Sequence, residues 1–191
     1  MVKHEDVQKR ELAYWASAPY EPTGSWYYYD REFFKFLGDF DKVADVGCGP
    51  VPYFLNHNIR YKEAIAVDPL ISEYMKIKKY KDYKTWRKFS TVQNIESVND
   101  GWADAVFALN VVDHVKEIAP FMLDLHRICD GNGKLFFYTD VGKKPDAMHP
   151  HNIDVNQMIE WLDDKFYTIY VNVRHSWKFP NDILYFVGEK K

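Results

Sequence analysis

The chain has 191 residues, with 25 Lys and Arg against 28 Asp and Glu for a net charge of −3, and it is 47% hydrophobic and 17% aromatic. That length fits one domain around one core. The balance excludes a disordered chain and a surface given wholly to nucleic acid, and no stretch reaches the ~20 apolar residues of a membrane span.

The opening Met1-Val2-Lys3-His4-Glu5-Asp6 is too polar to begin a signal peptide, so a cytoplasmic protein is expected. Glu5 to Ser17 reads as a helix, Pro19 to Gly24 as a break, and Trp26 to Leu37 as a second helix. The many rings before the first strand need a surface to cover. They read as helices packed on a sheet and as a lid over a ligand, with Tyr14, Trp15, Trp26 and Tyr27 as lid residues.

Val43-Ala44-Asp45-Val46 is a short strand running into Gly47-Cys48-Gly49-Pro50, and a helix is expected over Val51 to Asn58. Gly47 and Gly49 lack a Cβ, so the backbone can turn sharply and let a ligand approach its amides. Pro52 stands where a dinucleotide fingerprint carries its third glycine, which disfavours NAD. No Gly-Lys-Ser/Thr follows, as a P-loop requires. Cys48 and Cys129 lack metal-ligand spacing and fit a reducing compartment, and the sequence names no metal ligands.

Glu63 to Asp68 is a second strand ending in a carboxylate about 20 residues past the glycines, where it can accept from both hydroxyls of a ribose. A helix from Pro69 to about Lys81 and a strand from Arg87 to Val92 follow, the latter running into Gln93-Asn94-Ile95-Glu96. Lys76, Lys78, Lys79, Lys81, Lys84, Arg87 and Lys88 face only Asp82; such a basic, aromatic stretch is a solvated helix face or a grip on phosphate and bases. Trp102 to Asn110 is the fourth strand, and Lys116 to Cys129 an amphipathic helix closed by Asp130-Gly131-Asn132-Gly133 through a left-handed glycine. Lys134 to Thr139 is the fifth strand. The polar loop from Asp140 to Asn152 is long for a connection and reads as a binding loop. A helix over Ile153 to Lys165 and strands over Phe166 to Val173 and Ile183 to Val187 end the chain in an antiparallel hairpin.

Asp45-Val46-Gly47-Cys48-Gly49-Pro50 after a strand resembles motif I of the class I methyltransferases that use S-adenosylmethionine, and Asn110-Val111-Val112-Asp113-His114 resembles their motif after strand four. Over about residues 40 to 190 the resemblance implies a three-layer αβα sandwich. Its mostly parallel seven-stranded sheet would have the order 3-2-1-4-5-7-6 with strand 7 antiparallel, beneath an N-terminal helical lid over residues 1–40. It implies cofactor contacts from Asp45, Gly47, Cys48, Gly49, Pro50, Asp68, Pro69, Asn94, Ile95, Asn110 and Val111. Asn94 would meet the adenine amine in place of the usual Asp, Ile95 the ring, and Asn110 the methionine part. Asp113 can cap the next helix.

The reaction so implied is in-line attack of a nucleophile on the sulfonium methyl, in which positioning does much of the work. His114, His149 or His151 can take a proton where the nucleophile must lose one. Lys143 and Lys144, with Arg174 and Lys178, point to a small substrate bearing phosphate or carboxylate. Two other readings stand beside a small-molecule methyltransferase: a nucleic-acid or protein methyltransferase using the Lys76 to Lys88 stretch, and a non-catalytic S-adenosylmethionine-binding protein.

Overall fold

The computed structural model describes residues 4–18, 32–55, 59–77, 80, 89–175 and 181–191. In chain order its elements are α1 (His4–Ser17), β1 (Asp39–Val46), β2 (Arg60–Val67), α2 (Ile71–Tyr74), β3 (Ser90–Val92), β4 (Ala103–Leu109), α3 (Ile118–Ile128), β5 (Cys129–Val141), α4 (Val155–Lys165), β6 (Phe166–His175) and β7 (Asp182–Lys190). The seven strands form one sheet in the order β3-β2-β1-β4-β5-β7-β6, as the resemblance implies. The first five strands are parallel, with Val43 beside Ala64 and Ala105, and β7 runs antiparallel to both β5 and β6.

Parallel strands covered on both faces read as continuous apolar runs, and the burial of Val43, Ala44 and Val46 in β1 and of Val106, Phe107 and Ala108 in β4 follows from that. On one face Met122, Leu125 and Ile128 of α3 and Met158 and Leu162 of α4 pack over Val106, Leu135 and Phe137. On the other, Phe33, Phe54, Ile59 and Ile71 pack over Val43, Phe107 and Phe136. Phe33 meets Phe136 edge-on with centroids 5.8 Å apart, so the aromatic segment before β1 is in part core.

Three local expectations change. The turn after β1 opens a short 3-10 turn, Tyr53–Leu55, and 56–58 lie outside the described residues. Proline is tolerated in a first helical turn, where its missing N–H would have had no partner, so Pro50 and Pro52 do not account for the change; the Asp45 carboxylate draws the Tyr53 amide back toward β1 instead. Between β2 and β3 the described helix is one turn, and most of the Lys76 to Lys88 stretch lies outside the described residues. Of the second expected helix only the 3-10 turn Phe33–Phe36 is described.

The end of α3 differs most. Gly131 and Gly133 are not left-handed; Cys129 itself turns to extended backbone (φ −68°, ψ 132°) and already pairs with Ala103. The register then slips before Ala105 meets Lys134, so the polar residues 130–133 form a bulge inside β5. Gly133 is needed for space: a Cβ there would stand 2.8 Å from both the Ala103 carbonyl oxygen and Cys129 Sγ. Gly133→Ala is expected to cost about 1–3 kcal/mol by overpacking, read as a lower urea midpoint at unchanged m-value.

Candidate active site

The turn after β1 is built by carboxylates and glycines together. Asp45, 2% exposed at the end of β1, accepts the Tyr53 amide and so folds the segment after the turn back onto the strand. Gly47 is left-handed (φ 69°), and a Cβ on it would stand 2.1 Å from Val111 Cγ2, so only glycine lets the segments after β1 and β4 approach. The amides of Gly47 and Cys48 donate to the Val67 carbonyl at 2.7 and 3.3 Å, and that of Gly49 to Asp68 Oδ2 at 3.0 Å. These amides are therefore not presented to a ligand; the glycines act by shape. Cys48 is an ordinary turn residue whose thiol burial pushes well above its usual range, away from nucleophilic chemistry.

Asp68, just past β2, ties two turns at once, because its other oxygen accepts the Leu70 amide at 2.8 Å. Its own amide donates to the Val92 carbonyl of β3, 3.1 Å away. Each oxygen keeps a second lone pair for a ligand hydroxyl. Burial raises Asp68 to about 6, against the two amides and with a further push from the Glu11 charge, while burial raises Asp45 to about 7 with Asp68 adding to it. Pro69 is exposed beside Asp68. Asn94 is exposed in extended backbone at the end of β3, and Ile95 is buried beneath it. Asn110 takes the left-handed conformation (φ 57°) at the tip of β4, its amide bound to the Tyr138 carbonyl at 2.8 Å. Gly47 to Pro50, Asp68, Asn94 with Ile95, and Asn110 with Val111 thus follow the carboxyl ends of four adjacent strands, where ligands bind in open α/β sheets.

Beside that row, after β4 and β5, lies a polar cluster. Asp113 does not cap α3: the residue at that position is Glu117, and both Asp113 oxygens are buried without a hydrogen-bond partner among the described residues. His114 Nε2 stands 3.7 Å from Asp113 Oδ1, His149 Nε2 stands 4.0 Å from Oδ2, and the two imidazoles meet edge-on with centroids 4.5 Å apart. Burial lowers His114 to about 4, with the Glu11 charge opposing, so its ring is neutral; burial raises Asp113. The loop after β5 is fixed. Asp146 Oδ1 accepts the amides of Met148 and His149 at 2.7 and 2.9 Å, His149 Nδ1 lies 2.9 Å from both Asp146 oxygens, and Gly142 donates to the Ile153 carbonyl at 3.0 Å. Against an opposing push from burial, these amides and the ring hold Asp146 down to about 2. His151 is placed differently: its Nε2 lies 2.6 Å from the Val115 carbonyl and pins the loop to the segment after β4. Lys143 Nζ stands 3.9 Å from both Asp140 and Asp146, and Lys144 is exposed.

The N-terminal helix reaches the same cluster. Glu11 Oε2 stands 3.8 Å from His114 Nδ1, and Glu11 Oε1 accepts from Trp15 Nε1 at 2.7 Å. Trp15 is half-buried and receives the Tyr80 hydroxyl on its carbonyl at 3.2 Å, while Tyr14 is exposed. Trp26, Tyr27 and Lys178 lie outside the described residues.

The sequence model of a family described as methyltransferase domain matches residues 44–137, the span holding the turn, Asp68, Asn94, Asn110 and Asp113. The chain belongs to the class I S-adenosylmethionine-dependent methyltransferases. S-adenosylmethionine is accordingly its methyl donor. The solved structures it resembles show the same fold at low identity. One is a Burkholderia thailandensis 1,6-didemethyltoxoflavin-N1-methyltransferase with bound 1,6-didemethyltoxoflavin and S-adenosylhomocysteine, at TM-score 0.69 and 13% identity over 100% of this chain and 92% of that one. Another is the N-methyltransferase NodS from Bradyrhizobium japonicum WM9 with S-adenosylhomocysteine, at TM-score 0.69 and 13% identity over 98% and 97%. The [4+2]-cyclase SpnF matches at TM-score 0.63 and 11% identity over 83% of this chain and 77% of that one, so the fold also serves another reaction. No curated protein matches the sequence. Among the described residues no helix is long and apolar enough to cross a membrane.

Sequence reasoning missed Glu11, Asp140 and Asp146, which carry no motif, and it read Asp113 as a cap because a short acid before a helix usually is one. In this methyltransferase the buried acids Asp45 and Asp68 make opposite demands on pH from a paired carboxylate. Raised in the fold from 3.8 to about 7, Asp45 binds a proton more tightly folded than unfolded, so its contribution is fully present below pH 4 and is lost as pH rises toward 7. Asp45→Asn keeps an acceptor for Tyr53 and removes the charge. The melting temperature of the unliganded variant relative to wild type is expected to be higher at pH 8 than at pH 5.

Proposed function

We propose that this methyltransferase transfers the sulfonium methyl of S-adenosylmethionine to a small-molecule acceptor, in a crevice between the carboxyl ends of β1, β2 and β4 and the loop after β5. The observation that carries the reading is the position of Asp68, 8% exposed and fixed by two backbone amides between the turns after β1 and β2. In this reading Asp68 accepts from the ribose hydroxyls, with Pro69 against the sugar. Asn94 meets the adenine amine and Ile95 the ring. Asp45 sets the turn whose residues Gly47, Cys48, Gly49 and Pro50 wall the cofactor, and Asn110 and Val111 flank its methionine part.

The whole chain forms one methyltransferase domain in this reading, with α1 as part of a lid. Tyr14 and Trp15 stand on α1 and in this reading cover the sulfonium, excluding water and offering ring faces to the cation. A small acceptor has a precedent in the toxoflavin methyltransferase of the same fold. In this reading His114 or His149 takes the proton where the acceptor's nucleophile must lose one. His151 belongs to the same loop and acts by holding it. Lys143 stands between Asp140 and Asp146, which leaves the exposed Lys144 as the lysine of that loop to meet an acceptor's carboxylate or phosphate in this reading. A reading as a nucleic-acid methyltransferase would predict binding of RNA that weakens steeply with salt.

Calorimetry with S-adenosylmethionine and NAD, followed by transfer of a labelled methyl to a metabolite pool, tests the reading. Micromolar binding of the first and none of the second is expected, and binding of NAD alone would overturn it. Asp68→Ala is expected to weaken S-adenosylmethionine about 10- to 100-fold, the loss of hydrogen bonds to a charged acceptor. Asp68→Asn, which keeps one acceptor for the backbone, is expected to lose less. The wild-type affinity should also fall as pH drops through about 6, because the ribose favours the carboxylate and binding then releases a proton.

A further inference from the structure

Around His114 and His149 the charges do not balance. Glu11, Asp113, Asp140 and Asp146 bring four carboxylates together there, and Lys143 brings one ammonium. Asp113 is 2% exposed with both oxygens unpartnered among the described residues, and a buried acid is ordinarily satisfied. The missing partner has a defined place. One ligand atom each from Asp113, His114 and His149 lies within 4.8 Å of the others, and the nearest approaches, 3.7 and 4.0 Å, join an imidazole Nε2 to an Asp113 oxygen.

The far side of each imidazole is backed by a carboxylate. His149 Nδ1 donates to Asp146 at 2.9 Å, which fixes the tautomer with the Nε2 lone pair turned to Asp113, and His114 Nδ1 faces Glu11 Oε2 at 3.8 Å. Carboxylates behind imidazoles in this way orient metal-bound histidines and raise their basicity. We infer that Asp113, His114 and His149 bind one divalent first-row transition-metal ion, with Asp146 and Glu11 orienting the two imidazoles. Bonds of about 2.0–2.2 Å bring ligand atoms to roughly 3–3.5 Å of one another, which asks for side-chain movements of about an ångström or less. Two imidazoles and one carboxylate favour zinc, iron, cobalt or manganese over magnesium or calcium, whose preference is for oxygen.

Three protein ligands leave a coordination position open. What the ion does there rests on the crevice being the site of methyl transfer; whether it binds does not. An acceptor hydroxyl or carboxylate in the open position would be held for in-line attack, and a bound hydroxyl would be made more acidic. The imidazoles are then ligands, and the ion takes over activation of the acceptor.

The full-length protein, stripped with a chelator, is titrated with Zn²⁺ and Mn²⁺ by calorimetry and with Co²⁺ by visible absorption. One ion per chain is expected. Affinity should fall tenfold or more in His114→Ala, His149→Ala and Asp113→Asn, about tenfold in Asp146→Asn, and not at all in His126→Ala, whose ring on α3 packs edge-on against Phe166 at the other end of the sheet. S-adenosylmethionine titrated into each variant reports the cofactor crevice separately, so loss of cofactor binding counts against the function proposed above and loss of metal binding against this site. The inference is overturned if the wild type binds no ion, or if the His114, His149 double variant binds it as the wild type does. Should the variants fail to fold, X-ray absorption of the zinc-loaded wild type decides: two imidazole ligands support the site and fewer than two remove it.

Discussion

The turns at the strand ends depend on one carboxylate. Asp68 binds the Gly49 amide with one oxygen and the Leu70 amide with the other, so the turns after β1 and β2 are held at a fixed separation. Its amide is bound in turn to Val92 of β3, and the Gly47 amide to Val67 of β2. Three strand ends are thereby locked to one another before any ligand arrives. The arrangement costs something, since an acid so deeply buried resists ionisation. A ligand that added donors to Asp68 would offset that cost and steady the two turns.

Much of this was legible in the sequence, and the reasons are local. Alternating apolar runs and amphipathic segments fix a parallel sheet, and a strand-glycine-strand-acid interval brings Gly47 and Asp68 to neighbouring strand ends. The helix boundaries were less legible. Gly131 and Gly133 have the composition of a helix stop, yet the stop is Cys129, because pairing with Ala103 draws the chain into β5 at once. Gly133 answers to a carbonyl of the neighbouring strand, a non-local constraint that no window around residue 133 contains. The glycine turn was read as offering amides, whereas the neighbouring strand and Asp68 take them.

The acceptor side was only half legible, for the same reason. Asp113 and His114 follow β4 in a recognisable motif, but their partners come from α1 and from the loop after β5, a hundred and more residues apart in the case of Glu11 and His114. Nothing in the spacing of Glu11, Asp113 and Asp146 announces that they meet. Only the topology, which sets β4 beside β5 and lays α1 across their ends, brings the three acids to two imidazoles.

The row at the strand ends and the polar cluster beside it are built by different means. The row uses backbone and one carboxylate, parts that the sheet itself positions. The cluster uses side chains from α1, from the segment after β4 and from the loop after β5, and that loop is tied at several points: Gly142 is bonded to Ile153, Asp146 collects two amides and an imidazole, and His151 ties the loop to Val115. In-line methyl transfer gains most of its rate from holding nucleophile and methyl in register, and ties of this kind let a loop hold a side chain nearly as a strand end does. These ties share no residue with the bonds that fix Asp68 and the glycine turn.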